Sequence, residues 1–225
     1  MSDTEFRFNV FKRAALCRNF EEYVFGGIRN KLFKVPIYLS GGQEYISATI
    51  AEVMIAAGIN PDIFIQHRGH STYLSYEASP EELIDELLGR KTGCANGMGG
   101  SASIQSKEKK IYGHDGLMGS QVPIAVGHCY STKHPTIVHI GDASAEEDYV
   151  LGALNWELAD VAKAFNMRGL NVDDHPLQLR EALSGAFEGP LLLNIHTHRK
   201  FWHAGAGIDD ENIFDRYETE KELLG

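Results

Sequence analysis

Three short apolar runs, each ending in a polar turn, constrain the fold of this chain more than any other feature. They are "PDIFIQHRGH" (61–70), "PTIVHIG" (135–141) and "PLLLNIHT" (190–197). A strand with one wet face alternates apolar and polar residues, whereas a strand covered on both faces reads as an unbroken apolar run. Helical patterns lie between and around them. Residues 7–31 carry Phe8, Phe11, Ala15, Phe20, Tyr23 and Val24 among charges, an amphipathic helix. Residues 41–58 are apolar on most of their helical surface, with Gly58 suited to the C-terminal cap. In 79–89 Ser79 caps, Pro80 fits the first turn, Glu82 completes a capping box and Gly89 ends the helix. Further helices are predicted over 121–134, 145–156 and 177–187, with a last, exposed one over 210–224. Short apolar strands alternating with helices predict an α/β fold, a mostly parallel sheet with helices on both faces.

Composition limits what such a fold is for. With 225 residues and 43% hydrophobic content, the chain suffices for one large α/β domain or two small ones. A net charge of -10 argues against a nucleic-acid backbone as partner. No apolar run has the length of a membrane span, and "MSDTEFRFNVFKR" lacks a signal-peptide core. Cys17, Cys94 and Cys129 are odd in number and widely spaced. They read as small buried residues in a reducing cytoplasm. Residues 89–123 are glycine-dense and long for a structureless connection, so they are expected to be functional or disordered.

One junction conflicts with the pattern. After "YVLGALNW" the chain runs directly into "ELADVAKAFNMRGL", two helical patterns with no turn or strand between them. Taken alone, 145–167 reads as one long helix. In a parallel sheet, a helix after "TIVHIGD" leads instead into the next strand. On that reading a segment is missing near 156–157.

Ligands of open parallel sheets bind at the carboxyl ends of the strands. "HRGH" (67–70), "GDAS" (141–144) and "HTHRKFWH" (196–203) sit at such ends, and "GHDGLMGSQ" (113–121) is a fourth candidate wall. Arg68 and Arg199 offer forked donors suited to phosphate oxygens. A carboxylate such as Asp142 beside that anion needs a cation between them, which points to a diphosphate bridged by magnesium. Two local alternatives stay open. Asp142 or Ser144 caps the helix, Ser144 pairing with Glu147 in a capping box. The histidines of "HRGH" and "HTH" suggest zinc, on weak spacing. "GMGG" lacks the strand-turn context of a dinucleotide site.

Taken together, "GGQEYISA", "QHRGHSTYLSYEASPEELIDELLGRKTGCANGMGGSAS", "YGHDGLMGSQVPIAVGHCYSTK" and "VHIGDASAEEDYVLGALNW" come in a telling order. From about residue 7 to 224 the chain resembles alpha subunits of the thiamine-diphosphate-dependent first component of 2-oxo acid dehydrogenases. That family includes the pyruvate, branched-chain and acetoin types. The resemblance implies a single thiamine-diphosphate-binding domain over 1–225. It implies thiamine diphosphate and magnesium as cofactors, a 2-oxo acid or acetoin as substrate, and oxidative decarboxylation with acyl transfer to a lipoyl domain of the second component. It also implies a beta subunit, an α2β2 assembly, and no activity for this chain alone.

By position, the resemblance makes Arg68 and Arg199 diphosphate ligands. Gly116 and Met118 then hold the aminopyrimidine end, Asp142 binds the metal, and Ala143 and Ser144 offer backbone amides. His203, or His70, orients the substrate carboxylate or transfers protons. The chain departs from the pattern at His67, where an aromatic is usual, at Ala143 in place of a glycine, and at Trp202 in place of a small residue. The asparagine that completes the metal motif is absent after Trp156. A non-catalytic paralogue, acting as a binding or assembly subunit, is the alternative.

Overall fold

The first helix begins ahead of its apolar periodicity because it carries its own capping box. Ser2 Oγ accepts from the Glu5 amide, and the Glu5 carboxylate accepts from the Ser2 amide, which starts α1 (Asp3–Arg29). The computed structural model describes residues 1–145, 159, 162–163, 167–185, 188–210 and 212–224. α2 (Glu44–Ala56) ends as predicted: Gly58 takes φ +68°, and the amides of Gly58 and Ile59 bond back to Ile55 and Met54. α3 (His70–Ser75) follows β1 (Asp62–Phe64), and α4 (Pro80–Leu87) is capped by Ser79, whose Oγ accepts from the Glu82 amide at 3.1 Å. The Glu82 carboxylate does not complete the box; it accepts the Tyr73 hydroxyl instead.

Strands β2 (Ile111–Tyr112), β1 and β3 (Thr136–Val138) form a sheet in the order β2-β1-β3, with both pairings parallel. Ile63 stands between Ile111 and Ile137. β4 (Arg168–Asp173) and β5 (Leu191–His196) form a second parallel pair, with Leu170 opposite Leu193. The parallel α/β expectation therefore holds. β1 is buried as its apolar run implies, but β3 and β5 are only half-buried.

Two strands were not legible. β2 is two residues inside the glycine-dense loop, and β4 follows directly on the alanine-rich pattern that reads as helix. The remaining helices are α5 (Gln121–Thr132), α6 (Asp142–Ala145), α7 (Pro176–Ala182) and α8 (Arg216–Leu224). The rest of the helix predicted over 145–156, and the junction after Trp156, lie outside the described residues. Among the described residues no helix is long and apolar enough to cross a membrane.

The main core gathers Leu39, Ile63, Ile65, Leu74, Leu83, Leu87, Ile104 and Phe201. A second cluster joins Phe6, Val10 and Ala14 of α1 to Tyr45 and Ala48 of α2 and Tyr217 of α8. The last helix is thus docked rather than exposed along its length, and charge holds it as much as apolar contact. Arg7 forks onto the buried Glu220 carboxylate, and buried Arg18 bridges Glu44 of α2 and Asp215 just before α8.

The glycine-dense loop is ordered by one side chain. Glu86 of α4, fully buried, accepts from the amides of Ala95 and Gly97 on Oε2 and from those of Gly99 and Gly100 on Oε1, at 2.7–3.0 Å. Gly97 is required there. Its φ is +74°, and a Cβ would lie 2.6 Å from the Gly89 carbonyl carbon.

Candidate functional site

Parallel pairing sets the carboxyl ends of β2, β1 and β3 side by side. The turn after β2 carries His114, Gly116 and Met118. The turn after β1 carries Gln66, His67 and Arg68, and the turn after β3 carries Gly141 to Ser144. The segment after β5 adds Arg199 and His203, so four strand ends contribute to one polar cluster.

Arg68 joins the β1 and β5 segments. Its Nη1 donates to the Leu39 carbonyl at 2.8 Å; its Nη2 donates to His203 O at 3.1 Å and to His203 Nδ1 at 2.7 Å. A guanidinium only donates, so Nδ1 of His203 must accept, and its ring proton sits on Nε2. His203 is held neutral: burial, then Arg68 and Arg199, push its pKa below the usual histidine value. Burial and the neighbouring Arg199 charge lower Arg68 itself to about 10, which leaves it cationic at neutral pH. None of its hydrogen bonds is to a carboxylate among the described residues.

His67 packs 5.3 Å from His203 and 4.9 Å from Tyr38, ring centre to ring centre, with His114 at 6.0 Å. Burial, then Arg68, His203 and His114, hold His67 down to about 4. Arg199 is engaged on the surface side, its Nε donating to Asp209 at 2.6 Å.

Asp142 lies in the first turn of α6, exposed, and its charge acts on Arg68. Ala143 is exposed in the same turn. Ser144 is fully buried inside the helix, and its Oγ donates to Gln66 Oε1 at 2.7 Å and lies 4.0 Å from Met118 Sδ. That placement removes Ser144 from a capping role. Gly116 takes φ +99° with no atom within 4 Å of a built Cβ, an open position where a backbone can meet a ligand.

His70 is not part of this cluster. It is completely buried, with Nδ1 at 2.9 Å from Glu21 and Nε2 at 2.9 Å from Ser101. Both ring nitrogens are engaged inside the protein, so the expected proton-transferring role gives way to a structural one. The zinc alternative finds no support: among the described residues no group of three or more His, Cys, Asp or Glu can hold a metal. Sequence reading missed Gln66 and Tyr38. Gln66 opens the quoted "QHRGH" stretch but was given no role there, and Tyr38 belongs to no quoted motif; each reaches the cluster through strand register or chain return.

Residues 37–165, more than half of the chain, match the family described as Dehydrogenase E1 component. The chain belongs to the dehydrogenase E1 component family. Its relatives among curated proteins include alpha subunits of that component. It is 32% identical over 160 residues to pyruvate dehydrogenase E1 component subunit alpha-1 of Arabidopsis thaliana, covering 67% of this chain and 40% of that protein. With subunit alpha-2 of the same plant it shares 27% over 255 residues, covering 96% and 63%. With the alpha subunit of Zymomonas mobilis it shares 28% over 169 residues, covering 70% and 46%. This E1 chain thus spans 40% to 63% of the length of these relatives. The 255-position alignment is longer than the 225-residue chain, so within it the relative carries residues that this chain lacks.

Proposed function

We propose that the chain is the alpha subunit of a 2-oxo acid dehydrogenase of the pyruvate dehydrogenase type, binding thiamine diphosphate with magnesium. The observation that carries the reading is Arg68: a half-buried cation at the meeting of strand ends, bonded among the described residues only to neutral groups. Such a guanidinium is a ready site for a phosphate anion. The described residues fit the diphosphate in this respect. For the magnesium they supply one carboxylate, Asp142, and the asparagine that would join it is absent after Trp156.

Within this reading Arg68 and Arg199 hold the diphosphate, Arg199 exchanging Asp209 for it. Ala143 faces the diphosphate with its backbone amide, whereas the Ser144 amide donates to the Gly141 carbonyl at 3.1 Å, which takes Ser144 out of the amide-offering role expected of it. Gly116 and Met118 receive the aminopyrimidine end. His203, neutral with Nε2–H outward of its Arg68 contact, donates to the carboxylate of a 2-oxo acid. Bound thiamine diphosphate supplies the carbanion-stabilising chemistry of decarboxylation. A lipoyl domain of the second component would be the acyl acceptor, and a beta subunit would complete an α2β2 enzyme. A reducing, cytoplasmic setting suits the three free cysteines, of which buried Cys17 has its thiol pushed up to about 12.

The test is decarboxylation of pyruvate and branched 2-oxo acids by the chain combined with its beta partner. Turnover is expected only with thiamine diphosphate and magnesium, and full activity after Asp142→Ala would overturn the reading. A second reading, a non-catalytic paralogue serving as a binding or assembly subunit, is favoured by the residues this chain lacks relative to its kin. An assembled α/β complex that gives no binding heat with cofactor and magnesium would support it.

A further inference from the structure

We propose that Gln66 is a further ligand-binding residue, donating its amide N–H groups to an oxygen of the anion that Arg68 holds. The identity of that anion rests on the thiamine diphosphate reading. Gln66 stands two positions before Arg68 in the turn after β1 and is 6% exposed. Its Oε1 accepts from the Gly141 amide at 3.1 Å and from Ser144 Oγ at 2.7 Å. A backbone amide only donates, so Oε1 must face the β3–α6 turn and the orientation of the side-chain amide is fixed. Among the described residues its Nε2 is buried and has no hydrogen-bond partner.

A carboxamide nitrogen lies about 2.2 Å from its own oxygen. The unused donors therefore sit close to the β3–α6 turn that carries Asp142, on the residue two positions before Arg68. Buried donors left unpaired are costly and uncommon, and a ligand oxygen removes that cost. A neutral donor beside a cation also suits an anion better than any acceptor placed there.

A purely structural Gln66 would only staple the two turns together, and the isosteric Gln66→Glu separates the roles. It keeps the acceptor for Gly141 and Ser144 and replaces the donors with a carboxylate oxygen. Titration calorimetry with magnesium and thiamine diphosphate, and separately with inorganic pyrophosphate, is run beside thermal unfolding. The expectation is binding weakened by about tenfold or more in a chain that still unfolds cooperatively, its midpoint lowered by the buried carboxylate. Gln66→Met, uncharged and of similar volume, also removes the donors and is expected to weaken binding.

Equal pyrophosphate affinity in wild type and both variants overturns the inference. Wild type that ignores thiamine diphosphate, but whose pyrophosphate binding still falls on Gln66→Glu, overturns the cofactor reading and upholds the inference. A wild type that binds neither probe overturns both.

Discussion

Arg68 imposes a protonation state on its surroundings. Because it can only donate, it fixes the His203 tautomer, and its charge helps keep His67 and His203 neutral. Arg68→Gln is expected to move the His203 pKa upward toward the ordinary histidine value, read by NMR titration of the imidazole; an unmoved value would contradict the coupling.

Stability should respond to acid through the same physics. Burial holds His67 and His139 down to about 4, against an ordinary value of 6.5. Between those values the unfolded chain binds more protons than the folded one. Their contribution is therefore complete above about pH 6.5 and drains away as pH falls toward 4. The carboxylates held low, Asp62, Asp115 and Asp215, act below that window. Urea unfolding at a series of pH values checks this, and His139→Gln should flatten the slope. At this scale Arg68 and Asp142 were legible because motif and strand end coincide. His70 was not, because nothing local shows that Glu21 and Ser101 enclose it.

Elements are held by buried charges that a hydrophobic pattern does not reveal. Glu86 gathers four loop amides, so Glu86→Ala leaves several donors unpaired and should cost on the order of 3 kcal/mol or more in chemical unfolding. Arg18 is buried between Glu44 and Asp215. Arg18→Leu strands the Glu44 carboxylate and should destabilise by about 3–5 kcal/mol, while adding Glu44→Leu should recover part of that loss.

Element boundaries followed local chemistry where it was explicit, as at Ser79, Pro80, Gly58 and Gly89. They failed where tertiary context decides. β4 pairs through all six of its residues with β5, yet its sequence carries no turn signal before it. α8 looks exposed by its charges, but those charges are its anchors.

For the molecule as a whole, parallel topology is what turns dispersed motifs into a site. Residues 66–68, 114–118 and 141–144 are far apart in sequence but leave adjacent parallel strands at the same end. Two of the three apolar runs became β1 and β3 and so anticipated their shared end, whereas β2, which brings in residues 114–118, was not legible; family membership agrees with the parallel α/β fold. What the runs could not convey is how the return from β5 reaches Arg68, since that depends on the packing of Phe201 into the core and the Arg199–Asp209 pair.

The account's central claim is that the strand-end cluster is a diphosphate site gated by magnesium. Calorimetric titration of the chain, joined to its beta partner, with thiamine diphosphate at several magnesium concentrations tests it most directly. The predicted result is binding that requires magnesium and is lost in both Arg68→Gln and Asp142→Ala. Binding that is independent of magnesium, or undiminished in those two variants, would contradict it.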